Sequence, residues 1–272
     1  MSNPVLNSSS IFGGNAQPYQ ANPAPTYQGQ QSPNAAPQTL DAMYNAPAAT
    51  SVDTDRMTYD DVIVKTGGLF LIIVALAAVS WQLTSSMPSL WVIGLVGGLV
   101  FGLINAFKRE PSPALIVVYA AFEGVFLGGI SAMYHFMWDG IVLQAVLATF
   151  AVFAVSLLLF RSGKVRVTPK FTKFLLIAIS GYLVFSLANL LLVWTGVLGG
   201  WGMRGGGFGI AIGLFAVGLA AMSLIADFDQ IQRGVEGGAP RKFAWAGAFG
   251  LIVTLVWLYL ELLRLFAILR GD

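Results

Sequence analysis

This sequence is that of an all-α integral membrane protein, a bundle of about seven transmembrane helices, and three observations say so. Hydrophobic residues make up 56% of the 272, charged residues only 10%, and the mean hydropathy is +0.74. Soluble domains carry about 25% charged residues, so a water-facing surface could not be built here and lipid must be the outer solvent. Seven apolar runs, each near the roughly 20 residues that cross about 30 Å of hydrocarbon, are separated by short polar breaks. Finally, the basic residues fall in alternate breaks. No run alternates with period two, which disfavours a β-barrel.

The chain before the first run differs in kind. Residues 1–54 hold seven of the twelve prolines among Asn, Gln, Ser and Ala, and no Lys or Arg precedes Arg56. Such a stretch cannot bury enough apolar surface to offset chain entropy, so a disordered cytoplasmic tail is expected, followed by a seven-helix domain over 55–272. Without a basic n-region and an apolar run, it does not read as a cleavable signal peptide. Tyr19, Tyr27 and Tyr44 are its candidate contact points for a partner.

The spans expected in order are Gly67–Leu83, Ser89–Phe107, Pro113–Phe136, Ile141–Phe160, Phe174–Val197, Phe208–Ile231 and Trp245–Leu269. The first is the shortest, and its amphipathic lead-in, Tyr59–Lys65, extends it inward. Twelve of the fifteen Lys and Arg flank the spans on one side: before the first and after the second, fourth and sixth. The other side has Arg204, with Arg264 and Arg270 near the C-terminus. The positive-inside rule then puts the N-terminus in and the C-terminus out, as an odd helix count requires. Glycines at 94, 97, 98 and 102 in the second span, and at 124, 128 and 129 in the third, mark faces where helices approach closely. The glycine-rich stretch 199–207 lacks a following GK[ST] and reads as a flexible outer loop rather than a phosphate cradle.

Composition also excludes chemistry. The absence of cysteine rules out disulfides, thiolate nucleophiles and Cys-ligated metals, and a single histidine, His135, leaves little room for imidazole catalysis. Ser131 lies four residues before His135 and Asp139 four after, but solvation of a helix end explains these better than a Ser–His dyad. Neither HExxH nor GxSxG occurs, so no enzyme, cofactor or nucleic-acid partner is expected.

The informative residues are carboxylates inside the spans, each costing several kcal/mol in hydrocarbon unless paired, protonated or wet. At about 1.5 Å per residue, Glu123 lies roughly 15 Å from the inner face, Asp227 roughly 6 Å, and Glu261 roughly 24 Å. Asp229 is shallower still. Asp227 and Asp229 point about 200° apart, so only one can face the bundle axis. Glu123 and Asn105 are depth-compatible partners for Asp227, which otherwise pairs with Arg233 at the headgroup boundary. Glu261 most simply pairs with Arg264 at i,i+3 and snorkels outward.

Asp227-Phe-Asp229-Gln-Ile231, the basic loop after it, and Leu258-Tyr-Leu-Glu-Leu-Leu-Arg264 together resemble the Bax inhibitor-1 family, most closely its bacterial YccA-like branch. Phe122-Glu-Gly-Val-Phe-Leu-Gly128 looks like that family's glycine-rich third helix. The likeness covers roughly residues 60–270 and excludes the tail. It implies a last helix enclosed by the other six, and a pH-sensitive Ca²⁺ leak governed by two aspartates on helices six and seven near the cytoplasmic side. Asp227 matches the first aspartate. The second falls on Thr254 or on Glu261, depending on how helix seven is anchored, and depth favours Thr254. Either Asp229 or Glu123 then supplies the second acid, or the paired gate is lost. Two adjacent carboxylates cannot both ionise cheaply, so a shared proton would hold two helices together until deprotonation drives them apart. Oxygen-only ligands suit Ca²⁺ or H⁺ as the transported ion.

Two functions therefore compete. One is a Ca²⁺ leak or Ca²⁺/H⁺ exchanger in a bacterial plasma membrane. The other is a non-conducting regulator whose tail binds a membrane protein, as part of the family is associated with a membrane-bound ATP-dependent protease.

Overall fold

The computed structural model describes residues 55–271, so the tail expected over 1–54 lies outside the described residues. Among those described, seven helices are long and apolar enough to cross a membrane. They are α1 (Tyr59–Leu83), α2 (Leu90–Phe107), α3 (Pro113–Met137), α4 (Ile141–Arg161), α5 (Pro169–Trp194), α6 (Gly206–Glu236) and α7 (Ala244–Gly271). Short 3₁₀ turns at Gly202–Arg204 and Arg241–Phe243 precede α6 and α7.

Local chemistry sets the boundaries. Thr58 caps α1, its hydroxyl accepting the Asp61 N–H at 3.1 Å, and Asp60 and Asp61 sit at the positive end of the helix dipole. The amphipathic lead-in is thus continuous helix, starting eight residues before the apolar run. Thr168 caps α5 in the same way, with Pro169 at its first position. The turn between α3 and α4 is closed by Gly140 at φ +73°, a left-handed conformation that a side chain would strain. At 31 residues, α6 runs about 46 Å, well beyond the hydrocarbon, so its polar last turns leave the apolar layer.

Between lipid-solvated helices there is little hydrophobic drive to associate, so backbone approach decides the packing. A Cβ on Gly128 would lie 2.7 Å from the Ala77 Cα, and one on Gly124 would lie 2.7 Å from the Ile73 carbonyl oxygen, which locks α3 onto α1. A Cβ on Gly94 would lie 2.8 Å from the Phe126 Cα, seating α2 on the other flank of α3. Ser80 adds an interhelical bond, its hydroxyl donating to the Val125 carbonyl at 2.7 Å.

The last helix is central. In its span 67% of the most apolar stretch is buried, against 6% in α5. It packs along α6, α1 and α4 and touches α3. Enclosure by all six other helices was expected; α2 instead packs chiefly on α3, and α5 packs chiefly on α6, reaching α7 through side chains such as Tyr182.

Candidate functional site

Asp227 sits near the end of the bundle that carries most of the lysines and arginines. Its neighbour Phe228 fixes the rotation of α6, packing edge-on against Phe153 and at a tilt against Phe160 of α4, with ring centres 5.6 and 5.8 Å apart. One residue back, about 100° around the helix, Asp227 faces α7. There the Thr254 hydroxyl donates to Asp227 Oδ2 at 2.7 Å. A Cβ at Gly250 would come 3.5 Å from Asp227 Oδ1, so that glycine leaves the carboxylate room on its second oxygen.

A cavity of about 160 Å³ reaches Asp227 from the α6–α7 loop, lined by Met57, Gln230, Gly234, Phe243 and Gly247 among others. The segment before α1 roofs it. Met57 is buried and donates its backbone N–H to the Ala239 carbonyl at 2.8 Å, while the Arg241 N–H reaches the Asp55 carbonyl at 2.9 Å. Asp61 strengthens this seam by pairing with Arg241 at 2.8 Å and Lys65 at 3.3 Å.

The other expected partners of Asp227 lie elsewhere. Asp229 is ion-paired with Arg233 one turn on, which also removes Arg233 as a partner for Asp227. Asn105 turns back on its own helix, its side-chain amide donating to the Phe101 carbonyl at 2.8 Å. Glu123 faces the Tyr119 phenol of its own helix and lies against Gly98 of α2; its Oε2 is buried without a hydrogen-bond partner. Among the described residues, then, a hydroxyl rather than a second carboxylate meets Asp227, at the position that depth selects on helix seven.

The opposite end holds a cluster that sequence reasoning did not assemble. Glu261 does pair with Arg264 at i,i+3, at 2.6 Å, but snorkelling is corrected: both residues are buried, at 6% and 5% exposure. Arg204 reaches Glu261 from the α5–α6 loop, its Nη2 lying 2.8 Å from Oε1 and 3.2 Å from Oε2. The Tyr182 hydroxyl of α5 bonds both Glu261 and Arg204, and the Arg204 guanidinium lies 5.4 Å from the Tyr182 ring centre. Asn189 positions this loop: its side chain donates to the Trp201 carbonyl at 3.2 Å and accepts the Met203 N–H at 2.7 Å. Gly202, at φ +60°, has no room for a Cβ, which would lie 2.7 Å from Val193 Cγ2. The only advance signal was an arginine in an otherwise uncharged loop. At the same end, Ser131 hydrogen-bonds Tyr259 at 2.6 Å, while His135 pairs with exposed Asp139 at 3.4 Å, so the Ser–His pairing does not form.

A family model described as Bax inhibitor 1 like matches residues 3–271. The match takes in the proline-rich tail as well, and so is wider than the likeness over 60–270. No curated protein matches the chain.

Proposed function

The chain belongs to the Bax inhibitor 1 like family, and within it we propose a proton-sensitive cation leak or exchange pathway, with Ca²⁺ as the ion and Asp227 as the charge that admits it. One observation carries this reading: a half-buried carboxylate near the basic end of an apolar bundle, lining a cavity beside the α6–α7 loop and bonded to the central helix. By the positive-inside rule that cavity faces the cytoplasm, and we place the protein in a bacterial plasma membrane.

The residues set what such a site does. Ionised Asp227 presents a negative charge to a cation entering past Met57; protonated, it presents none. Ca²⁺ takes six to eight oxygens, and Asp227, Thr254 and Gln230 supply fewer. Among the described residues no three His, Cys, Asp or Glu side chains gather into a metal site. The ion is therefore a passing substrate, held briefly and still partly hydrated. With Thr254 in place of a second acid, the gate works by switching one charge, not by repulsion between two.

The regulator reading has one observation on its side, the family match beginning at residue 3. Ca²⁺ entry into dye-loaded proteoliposomes across roughly pH 6 to 8 separates the two. The leak reading expects flux that rises with pH, as Asp227 ionises, and loses that dependence in Asp227→Asn. Flux no greater than that of empty liposomes at every pH, from folded protein, would sink it and favour the regulator.

A further inference from the structure

Among the described residues, the cluster at the far end from Asp227 is out of electrical balance. Arg204 and Arg264 bring two positive charges to it and Glu261 one negative, an excess of one positive charge among those residues. Both oxygens of Glu261 are already engaged, by Arg204, Arg264 and Tyr182. Arg264 is 5% exposed, yet its Nε, Nη1 and Nη2 find no aligned hydrogen-bond acceptor, and Arg204 Nε is buried in the same condition. The 2.6 Å approach of Arg264 Nη2 to Glu261 brings the charges together without pointing an N–H along the line. A buried guanidinium with its donors unmet is strongly disfavoured unless something accepts from it.

We propose that Arg264 and Arg204 form a binding site for one phosphate-type oxyanion, either a lipid headgroup phosphate or free phosphate. Planar guanidinium forks match a tetrahedral oxyanion, and two of them can share one. The surroundings fit. Gly213 of α6 packs against this part of α7, where a Cβ would lie 2.9 Å from Leu265 Cδ1 and 3.6 Å from Arg264 Nη2, so Arg264 Nη2 borders the α6 backbone. The Arg204 side chain is 18% exposed and rides on the 3₁₀ turn anchored by Asn189, so one of the two guanidinium groups is in reach of solvent. By chain position the cluster lies toward the end of α7 away from the basic loops. This site is independent of the Asp227 pathway.

The test uses the full chain, purified and delipidated in detergent, with thermal unfolding followed at constant ionic strength. Phosphate, chloride and gluconate are compared, and phosphatidylglycerol is compared with a neutral detergent addition. Occupancy tenfold above the Kd should raise the Tm by on the order of 4 °C. Stabilisation by phosphatidylglycerol alone assigns the site to a lipid; stabilisation by free phosphate as well assigns it to the free anion. Either response should vanish in Arg264→Gln and, should that variant fail to fold, in Arg204→Gln. It should grow in Glu261→Gln, where the competing carboxylate is gone. A wild-type Tm indifferent to phosphate and lipid over gluconate, or a response surviving loss of either arginine, would overturn the proposal.

Discussion

Replacing Glu261 with glutamine keeps the size of the side chain and removes the charge that buried Arg264 and partly exposed Arg204 share. Removing one member of a buried ion pair costs about 3–5 kcal/mol, because the partner is left uncompensated. Glutamine retains a carbonyl oxygen that can still accept from Tyr182 or Arg204, and the Arg204 side chain is 18% exposed, so the low end applies, about 3 kcal/mol. At about 2–4 °C per kcal/mol for a chain this size, the Tm should fall by about 6–12 °C. Asp229→Asn supplies the internal comparison. It breaks an ion pair too, but with Arg233, whose side chain is 64% exposed, where the pair contributes at most about 1 kcal/mol. Tryptophan fluorescence during heating of both variants in the same detergent reads the difference directly. The double variant Glu261→Gln, Arg264→Gln should be less destabilised than the two single losses combined, since it buries fewer bare charges. Equal, small shifts in Glu261→Gln and Asp229→Asn would refute the claim that the far end is held by a buried charge cluster.

Two further outcomes are expected. Thr254→Asp sets a second carboxylate against Asp227, and since two such charges repel, flux should depend more steeply on pH and the variant should lose stability as pH rises; a pH profile matching wild type in both flux and Tm would contradict the contact. Gly128→Leu must force α3 off the α1 backbone at Ala77, costing at least the roughly 1–3 kcal/mol of an overpacked core, whereas Gly181→Leu, with nothing within 4 Å of its Cβ, should unfold like wild type; comparing their unfolding in detergent checks the register of α1 on α3.

How much of this was readable in advance depended on distance along the chain. The seven spans follow from hydropathy alone, because lipid demands an apolar run wherever the chain crosses it, and each observed helix covers most of the run expected there. The resemblance offered Thr254 or Glu261 opposite Asp227, and depth arithmetic chose Thr254, because residues that meet across two adjacent helices must match heights. It said nothing of the surroundings of Glu261, where the expected snorkelling was wrong. What buries Glu261 comes from Tyr182 and Arg204, 79 and 57 residues away, and no periodicity reports a loop folding back over a helix end. Asp229 and Asn105 were over-read for the opposite reason. Each is satisfied within one turn of its own helix, by Arg233 and by the Phe101 carbonyl, and so never reaches across the bundle.

The seam between Asp55–Met57 and Ala239–Arg241 is the weakest wall of the cavity beside Asp227. Two backbone hydrogen bonds and the Asp61–Arg241 pair fasten the start of α1 to the α6–α7 loop, with Met57 among the residues lining the cavity beside Asp227. Each such bond contributes about 1 kcal/mol net, so the fastening is weak beside the helix packing below it. Opening the cavity at this seam would therefore need only these few bonds released, with the helix packing around α7 left intact.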